Sequence, residues 1–302
     1  MTTARQNSWL ENCLTDDERK QFDEQGYLIV EGALDEETNE GLQDAIGRID
    51  SRKRTDDIGP HALVSVRNII PEDKCFLDLI DWPKTFPKVW GILGWNIYLY
   101  HTHLDVTPQT APGLQGVSWH QDSMRVNDEI ESSPRPRLSL KIGYYLTDLT
   151  EPGRGNTLIV PGSNMMDEID CPADGVSNPE GAIPLCVPPG SAVLLDRRTW
   201  HSRSPNTSDM PRKVLWYGYS YRWLRPKDPM TVEHLYEQLD PIRRQILGDG
   251  SNDGRYDPDP EDVPLHVWLM ENQPADAERS LHGQQQSRPP RLGMRSINTG
   301  KR

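Results

Sequence analysis

The spacing of apolar residues in the first third of the chain predicts two helices around a short strand. Thr15 and Glu18 have the spacing of a capping box, and Gly26, which tolerates positive φ, ends the helix that follows. The apolar run 27–30 then predicts a strand. Asp35 caps a second helix, which carries three apolar residues on one face at i, i+4 and i+7: Leu42, Ile46 and Ile49.

From about residue 63 the apolar spacing changes to two, as in β-strands; Val64 and Val66 share one face. Further strands are predicted at 96–106, 117–123, 138–146, 156–160, 192–195 and 214–222. Turns rich in Gly and Pro separate these stretches. Helices followed by many short strands predict a β-sandwich or jelly roll with helices on the outside.

The C-terminal region divides into two parts. Helical patterns at 232–239 and 241–247 and an apolar stretch at 263–270 can pack back onto the strands. Residues 273–302 are rich in Gln, Ser, Pro, Gly and Arg and have little to bury. We therefore predict one domain over residues 1–272 and a basic, flexible C-terminal tail over 273–302, with an interaction arm as the alternative role for the tail.

Composition agrees with a loop-rich, acidic chain. Of 302 residues, 23 are Gly and 26 are Pro, and the formal net charge is −13. Six basic residues and no acidic residue follow Glu278, so the rest of the chain is more acidic than the whole. An acidic surface argues against general binding of nucleic acid or of anionic membranes.

Membrane insertion and secretion are not expected. No stretch approaches the ~20 apolar residues of a membrane helix, and residues 1–12 lack the hydrophobic region of a signal peptide. Cys13, Cys75, Cys171 and Cys186 show no metal-type spacing and indicate reduced thiols in a cytoplasmic protein, although a Cys171–Cys186 disulfide is possible. We expect a small-molecule substrate and make no prediction of oligomeric state.

Two separate stretches carry candidate metal ligands. His120 and Asp122 lie at i and i+2, on one face of a predicted strand, and His201 follows a later strand. Two His and one carboxylate form the facial triad of non-haem Fe(II) oxygenases. Spacing alone does not identify the ligand pair, because His103 and Asp105 repeat the pattern. It does not identify the kind of site either, because a zinc hydrolase or a structural metal site uses the same residue types.

Several stretches, in this order, resemble the phytanoyl-CoA dioxygenase family of Fe(II)/2-oxoglutarate-dependent oxygenases. They are 14–32, Trp-His-Gln-Asp at 119–122, 145–150, Asn-Thr-Leu-Ile-Val-Pro-Gly-Ser-Asn at 156–164, and 200–212. The resemblance implies a double-stranded β-helix (jelly roll, cupin-like) core with flanking α-helices. It also implies Fe(II) held by His120, Asp122 and His201, with 2-oxoglutarate and O₂ as co-substrates. Arg212 would bind the distal carboxylate of 2-oxoglutarate.

The chain departs from the family pattern at two positions. Arg203 stands where many members have a small hydroxyl residue that helps to bind the distal carboxylate. Thr107, before Pro108, stands where many members have a Lys that pairs with the other carboxylate. Thr107 is therefore the candidate for that contact, and Arg67, on the polar face of its strand, is a candidate for the missing cation.

The resemblance implies oxidation, by default hydroxylation, of an unactivated C–H bond, with release of succinate and CO₂. Asp122 argues against halogenation, because it fills the position that a halide needs. Aromatic residues on or near the later strands led us to expect a fairly apolar metabolite, possibly in natural-product biosynthesis: Trp119, Trp200, Trp216, Tyr217, Tyr219 and Trp223. The alternatives are a non-catalytic metal- or ligand-binding β-barrel and a zinc-dependent hydrolase.

Overall fold

The computed structural model describes residues 4–55, 58–111, 113, 116–250, 259–273 and 276, and in this part of the chain nine strands form two antiparallel sheets. In chain order they are β1 (Tyr27–Val30), β2 (Val64–Arg67), β3 (Ile97–Thr107), β4 (Ser139–Tyr145), β5 (Thr157–Ile159), β6 (Ile183–Pro184), β7 (Ser191–Asp196), β8 (His201–Arg203) and β9 (Arg212–Tyr221). The larger sheet has the order β1-β7-β4-β9-β3-β2 and the smaller one β6-β5-β8. The predicted mainly-β, jelly-roll fold is confirmed.

The α-helices of the described residues lie outside these sheets. They are α1 (Ala4–Leu10), α2 (Asp16–Gln25), α3 (Glu36–Lys53), α4 (Lys74–Leu77), α5 (Phe86–Leu93), α6 (Met124–Glu129), α7 (Pro241–Ile246) and α8 (Pro264–Asn272). The predicted caps are present: Thr15 and Glu18 form both bonds of the capping box, Gly26 has φ 79°, and Asp35 caps α3. Helices α1, α4, α5 and α6 were not predicted. Helix α5 is buried along its whole length, and a largely apolar run of only eight residues does not by itself distinguish a helix from a buried strand.

The two faces of the larger sheet have different partners. On β4, Ile142 and Tyr144 pack with the helices in the main core, whereas Tyr145 packs with Ile159 of the smaller sheet. Gly143 leaves room on the inner face: a Cβ there would lie 2.8 Å from the Trp216 ring. The alternation of side chains along each strand therefore separates a helix-covered core from an interior between the two sheets.

One predicted strand is absent. Within 117–123 only His120 pairs with another strand, through a single bridge to His201, and Ser123 has φ 60° at the start of α6. The amide of Asp122 donates to Arg197 instead of continuing a ladder. Residues 117–123 therefore form a bent segment that is held at isolated points, and this segment carries the side chains of His120 and Asp122.

The C-terminal helices pack on the same core as the N-terminal ones. Ile246 of α7 and Trp268 of α8 join that core, and Trp268 meets Trp9 of α1 edge-on at 5.2 Å between ring centroids. Of the predicted tail, all but Gln273 and Asp276 lie outside the described residues.

The sequence predicts no membrane-spanning helix and leaves a Cys171–Cys186 disulfide possible. Among the helices of the described ranges, none is long and apolar enough to cross a bilayer. The four cysteines are free, so Cys171 and Cys186 form no disulfide.

Candidate functional site

The three predicted metal ligands meet at one end of the interior. His120 and His201 exchange two backbone hydrogen bonds of 3.0 Å, and their ring centroids lie 4.4 Å apart. Asp122 is brought beside them because its amide donates to the Arg197 carbonyl at 2.8 Å. One donor atom from each of His120, Asp122 and His201 lies within 4.8 Å of the other two. His120 and Asp122, on the segment before α6, thus meet His201, which follows the turn after β7.

Backbone carbonyls orient both imidazoles. Nδ1 of His120 lies 2.9 Å from the Ser118 carbonyl, and Nδ1 of His201 lies 2.8 Å from the Thr199 carbonyl. A carbonyl only accepts, so each Nδ1 carries the proton and each Nε2 has a free lone pair. This is the tautomer that a metal-binding histidine needs.

The protonation states of the site suit a metal ion. Burial lowers the pKa of His201 to about 4, so its imidazole is neutral at physiological pH. Burial alone would raise the pKa of Asp122, but the charge and the hydrogen bond of Lys141 hold that pKa well below its usual range. The site therefore presents a neutral imidazole at His201 and an ionised carboxylate at Asp122.

Asp122 has one oxygen available for a metal. Its Oδ1 accepts from Nζ of Lys141 at 2.6 Å, whereas its Oδ2 is buried and has no hydrogen-bond partner among the described residues. A buried, ionised oxygen without a partner is costly unless a cation binds it. Two imidazole nitrogens and this oxygen fit a divalent ion such as Fe(II) and leave further coordination positions open.

Arg197 holds the bent segment against the β7–β8 turn. It is almost fully buried, and its guanidinium donates to the carbonyls of Asp122 and Pro136 and to the side-chain oxygen of Asn127, at 2.9–3.1 Å. On the other side of the turn, the buried Asp196 accepts from Arg137 and Arg198. Asp122 therefore sits on a backbone fixed from two sides.

A cavity of about 420 Å³ extends from the two histidines to Arg212, which lines its far end. Arg212 is 2% exposed, and its Nη2 donates to Oγ1 of Thr157 at 3.2 Å. Its Nε and Nη1 are buried and have no hydrogen-bond partner among the described residues. Burial lowers the pKa of this guanidinium. Two unused, preorganised donors beside a cavity suit a carboxylate.

The other predicted co-substrate residues differ in position. Thr107 lines the cavity, and its hydroxyl accepts from Nη1 of Arg203 at 3.5 Å. Arg203 also lines the wall, near Arg212. Arg67 does not line this cavity: it is exposed on β2, the edge strand of the larger sheet. The structure therefore does not bring Arg67 to the site, and its solvent-facing position explains the polar character of that strand face.

Lys141 was missed by the sequence analysis. It is a buried cation on β4 that lines the cavity and pairs with Asp122. The available signal was a lone charged residue in an otherwise apolar strand, between Leu140 and Ile142. No local pattern in the sequence connects Lys141 with Asp122, because the two residues are 19 positions apart and meet only through the packing of β4 against the bent segment.

The expected aromatic wall is mostly absent. Of the six aromatic residues considered, only Trp216 lines the cavity. Tyr217 and Tyr219 face the helices, where their hydroxyls donate to backbone carbonyls, and Trp223 is half exposed. Trp119 and Trp200 border a separate, smaller recess on the other side of His120. The cavity wall carries mainly polar and charged side chains, which does not favour a mainly apolar substrate.

Comparison with known proteins places the chain in a family. The sequence profile described as phytanoyl-CoA dioxygenase (PhyH) matches residues 22–214. The chain belongs to the phytanoyl-CoA dioxygenase family. The family and the enzyme class predicted from the sequence, an Fe(II)/2-oxoglutarate-dependent dioxygenase, are confirmed.

Among curated proteins, the chain is similar to "Dioxygenase af480" of Aspergillus fumigatus, with 26% identity over 186 residues, 59% of this chain and 56% of that protein. It is also similar to "Uncharacterized protein Rv1501" of Mycobacterium tuberculosis, with 26% identity over 234 residues, 74% of this chain and 77% of that protein. The match to the Aspergillus protein spans only a little over half of that protein's length.

Solved structures share the fold. HygX from Streptomyces hygroscopicus, solved with nickel and 2-oxoglutarate bound, superposes with a TM-score of 0.56 at 15% identity, covering 71% of this chain and 90% of that one. SnoK, described as a non-heme alpha ketoglutarate dependent carbocyclase from nogalamycin biosynthesis, gives a TM-score of 0.57 at 20% identity, covering 76% and 92%.

Proposed function

We propose that this protein uses Fe(II), 2-oxoglutarate and O₂ to hydroxylate an unactivated C–H bond of a small metabolite, releasing succinate and CO₂. The observation that carries the proposal is one cavity with two matched ends. His120 and His201 line one end and form a metal-ligand group with Asp122, and at the other end Arg212 has two donors without a hydrogen-bond partner among the described residues. A compound with a metal-chelating keto acid and a distal carboxylate fits both ends.

The chain's own residues have separable roles in this reaction. His120, Asp122 and His201 hold the metal in a fixed arrangement, and Arg212 and Thr157 fix the distal carboxylate. Arg203 and Thr107 line the same end of the cavity and add polar contacts. Bound Fe(II) and 2-oxoglutarate supply the O₂-dependent oxidation, while the protein orients the target carbon and excludes bulk water.

The polar cavity wall refines the expected substrate. His103, Asp105 and Lys141 line it together with Trp216. We therefore propose a small metabolite that presents one apolar face to Trp216 and hydrogen-bonding groups to the rest of the wall. A role in natural-product biosynthesis is supported by SnoK, a fold neighbour described as a nogalamycin-biosynthesis enzyme. We also propose that the catalytic domain spans residues 1–272 and acts in the cytoplasm.

The test is succinate formation by purified protein given Fe(II), O₂ and 2-oxoglutarate, across a panel of small polar and mixed-polarity metabolites. We expect at least one compound to stimulate succinate release and to gain an oxygen atom, seen as a mass increase. His120→Ala should abolish both signals, whereas His234→Ala, at an exposed position, should retain them. Zinc retained through purification, together with no response to 2-oxoglutarate, would instead favour the metal-dependent hydrolase.

A further inference from the structure

Lys141 is a buried cation in direct contact with a predicted metal ligand. It lies on β4, is 8% exposed, and places Nζ 2.6 Å from Oδ1 of Asp122 and 5.7 Å from the centre of the Trp216 ring. Its neighbours Leu140 and Ile142 point to the opposite face, into the helix-covered core. Lys141 is thus the residue through which β4 contributes to the metal end of the cavity.

A cation at this position has an electrostatic cost. Burying an ammonium and a carboxylate together removes both from water, and such a pair is not in itself a gain in stability. A divalent ion on the same carboxylate would also be repelled by the ammonium a few ångströms away. Charge alone therefore predicts that Lys141 weakens metal binding, so a role at the metal site must come from geometry.

The geometry distinguishes the two oxygens of Asp122. Oδ1 is engaged by Lys141, and Oδ2 is buried without a hydrogen-bond partner among the described residues. The backbone on either side of this carboxylate is fixed by Arg197. The remaining freedom is rotation of the carboxylate, which would exchange the oxygens or present both of them to a metal.

We propose that Lys141 is a positioning residue that fixes Asp122 as a one-oxygen metal ligand through Oδ2. This inference rests on the metal site of the proposed function. A carboxylate that binds through one oxygen occupies one coordination position, and one that binds through both occupies two. Lys141 thereby keeps open a position that co-substrate and O₂ require. Outer-sphere partners of this kind orient metal ligands.

The experiment is a titration of the metal-free full-length protein with Co(II), followed by visible absorption, whose intensity per bound ion reports coordination number. In Lys141→Met, Oδ1 of Asp122 loses its ammonium partner and can bind the metal as well. We therefore expect weaker absorption per bound Co(II) at saturation than in the wild-type protein. Lys213→Met, on the neighbouring strand β9 and absent from the cavity wall, should match wild type.

A second variant separates positioning from folding. Lys141→Ala opens space for a small amine, and n-butylammonium should restore the wild-type Co(II) spectrum, whereas n-butanol should not. A wild-type Co(II) spectrum in saturated Lys141→Met would overturn the inference and would leave the proposed function intact. Absence of Co(II) binding by the wild-type protein would overturn both.

Discussion

The chain contains two His-x-Asp pairs whose histidines line the same cavity, and only one of the pairs belongs to a group of metal-ligand atoms among the described residues. His120 and Asp122 lie on the bent segment before α6, whereas His103 and Asp105 lie on the continuous strand β3. His120 and Asp122 combine with His201 into a group of three closely spaced donors. Within the described residues, no such group includes His103 or Asp105.

The difference lies in what surrounds each histidine. The Nδ1 of His120 is held by a backbone carbonyl, which leaves Nε2 free for a metal. The Nε2 of His103 lies 3.7 Å from the Asp105 carboxylate, and its ring stacks against Trp216. Burial also lowers the pKa of His103, so it is a neutral wall residue. Two ligands at i and i+2 make a metal site only where a third donor is fixed against them.

Substitution of one residue in each pair should give the largest contrast in Fe(II) affinity. Asp122→Ala should weaken Fe(II) binding by more than the ~100-fold typical of losing an outer-sphere partner, because it removes a ligand itself. His103→Gln should leave the Kd within about twofold, the effect of a substitution that touches no ligand. The measurement is Fe(II) binding by anaerobic equilibrium dialysis. Comparable losses in the two variants would show that the second pair also binds metal.

The next contrast is between the metal ligands and Arg212, at the other end of the cavity. Arg212→Met removes the buried partner of the distal carboxylate, and such a loss costs ~2–5 kcal/mol, so the Kd for 2-oxoglutarate should rise at least about 30-fold. Fe(II) affinity should not change, because Arg212 touches none of the metal ligands. The two constants are measured by anaerobic calorimetry. A change in Fe(II) affinity equal to that for 2-oxoglutarate would contradict the separation of the two ends.

The fixed backbone beneath Asp122 can be loosened without touching a ligand. Arg197→Met removes the donor to the Asp122 carbonyl and should weaken Fe(II) binding about tenfold, the low end for an outer-sphere partner. Arg125→Met provides the control, because Arg125 lies on α6 with an 88% exposed side chain. Fe(II) affinity equal in the two variants would show that the Arg197 contact does not position Asp122.

The smallest effect is expected at Arg203. A partly exposed charge contributes up to ~1 kcal/mol, so Arg203→Met should raise the Kd for 2-oxoglutarate about fivefold. Arg67→Ala, on the exposed edge strand, should leave this Kd unchanged. The reverse order, measured in the same calorimetric titration, would place the missing cation at Arg67 after all.

The sequence predicted the caps, most strands and the residues that meet at the metal end, because these depend on local spacing and residue type. It could not choose between the two His-x-Asp pairs by spacing, and the choice came from family resemblance in the surrounding stretches. Arg67 was considered because alternation identifies a strand's polar face, but alternation does not reveal that β2 is an edge strand facing solvent.

Other features depend on long-range packing. The pairing of Lys141 with Asp122 joins strand β4 to a loop and is set by the sheet register, which a single sequence does not specify. The aromatic residues were expected to line the pocket because of their type. Tyr217 and Trp216 are adjacent on β9 and therefore point to opposite faces, and only the fold decides which face is the cavity.

The most direct test of the account is an anaerobic absorption titration of the Fe(II)-loaded protein with 2-oxoglutarate. The account predicts a visible charge-transfer band that saturates at one equivalent, persists in His103→Gln and is absent in Asp122→Ala. A wild-type protein that binds Fe(II) but develops no band, or a band that survives Asp122→Ala and disappears in His103→Gln, would contradict it.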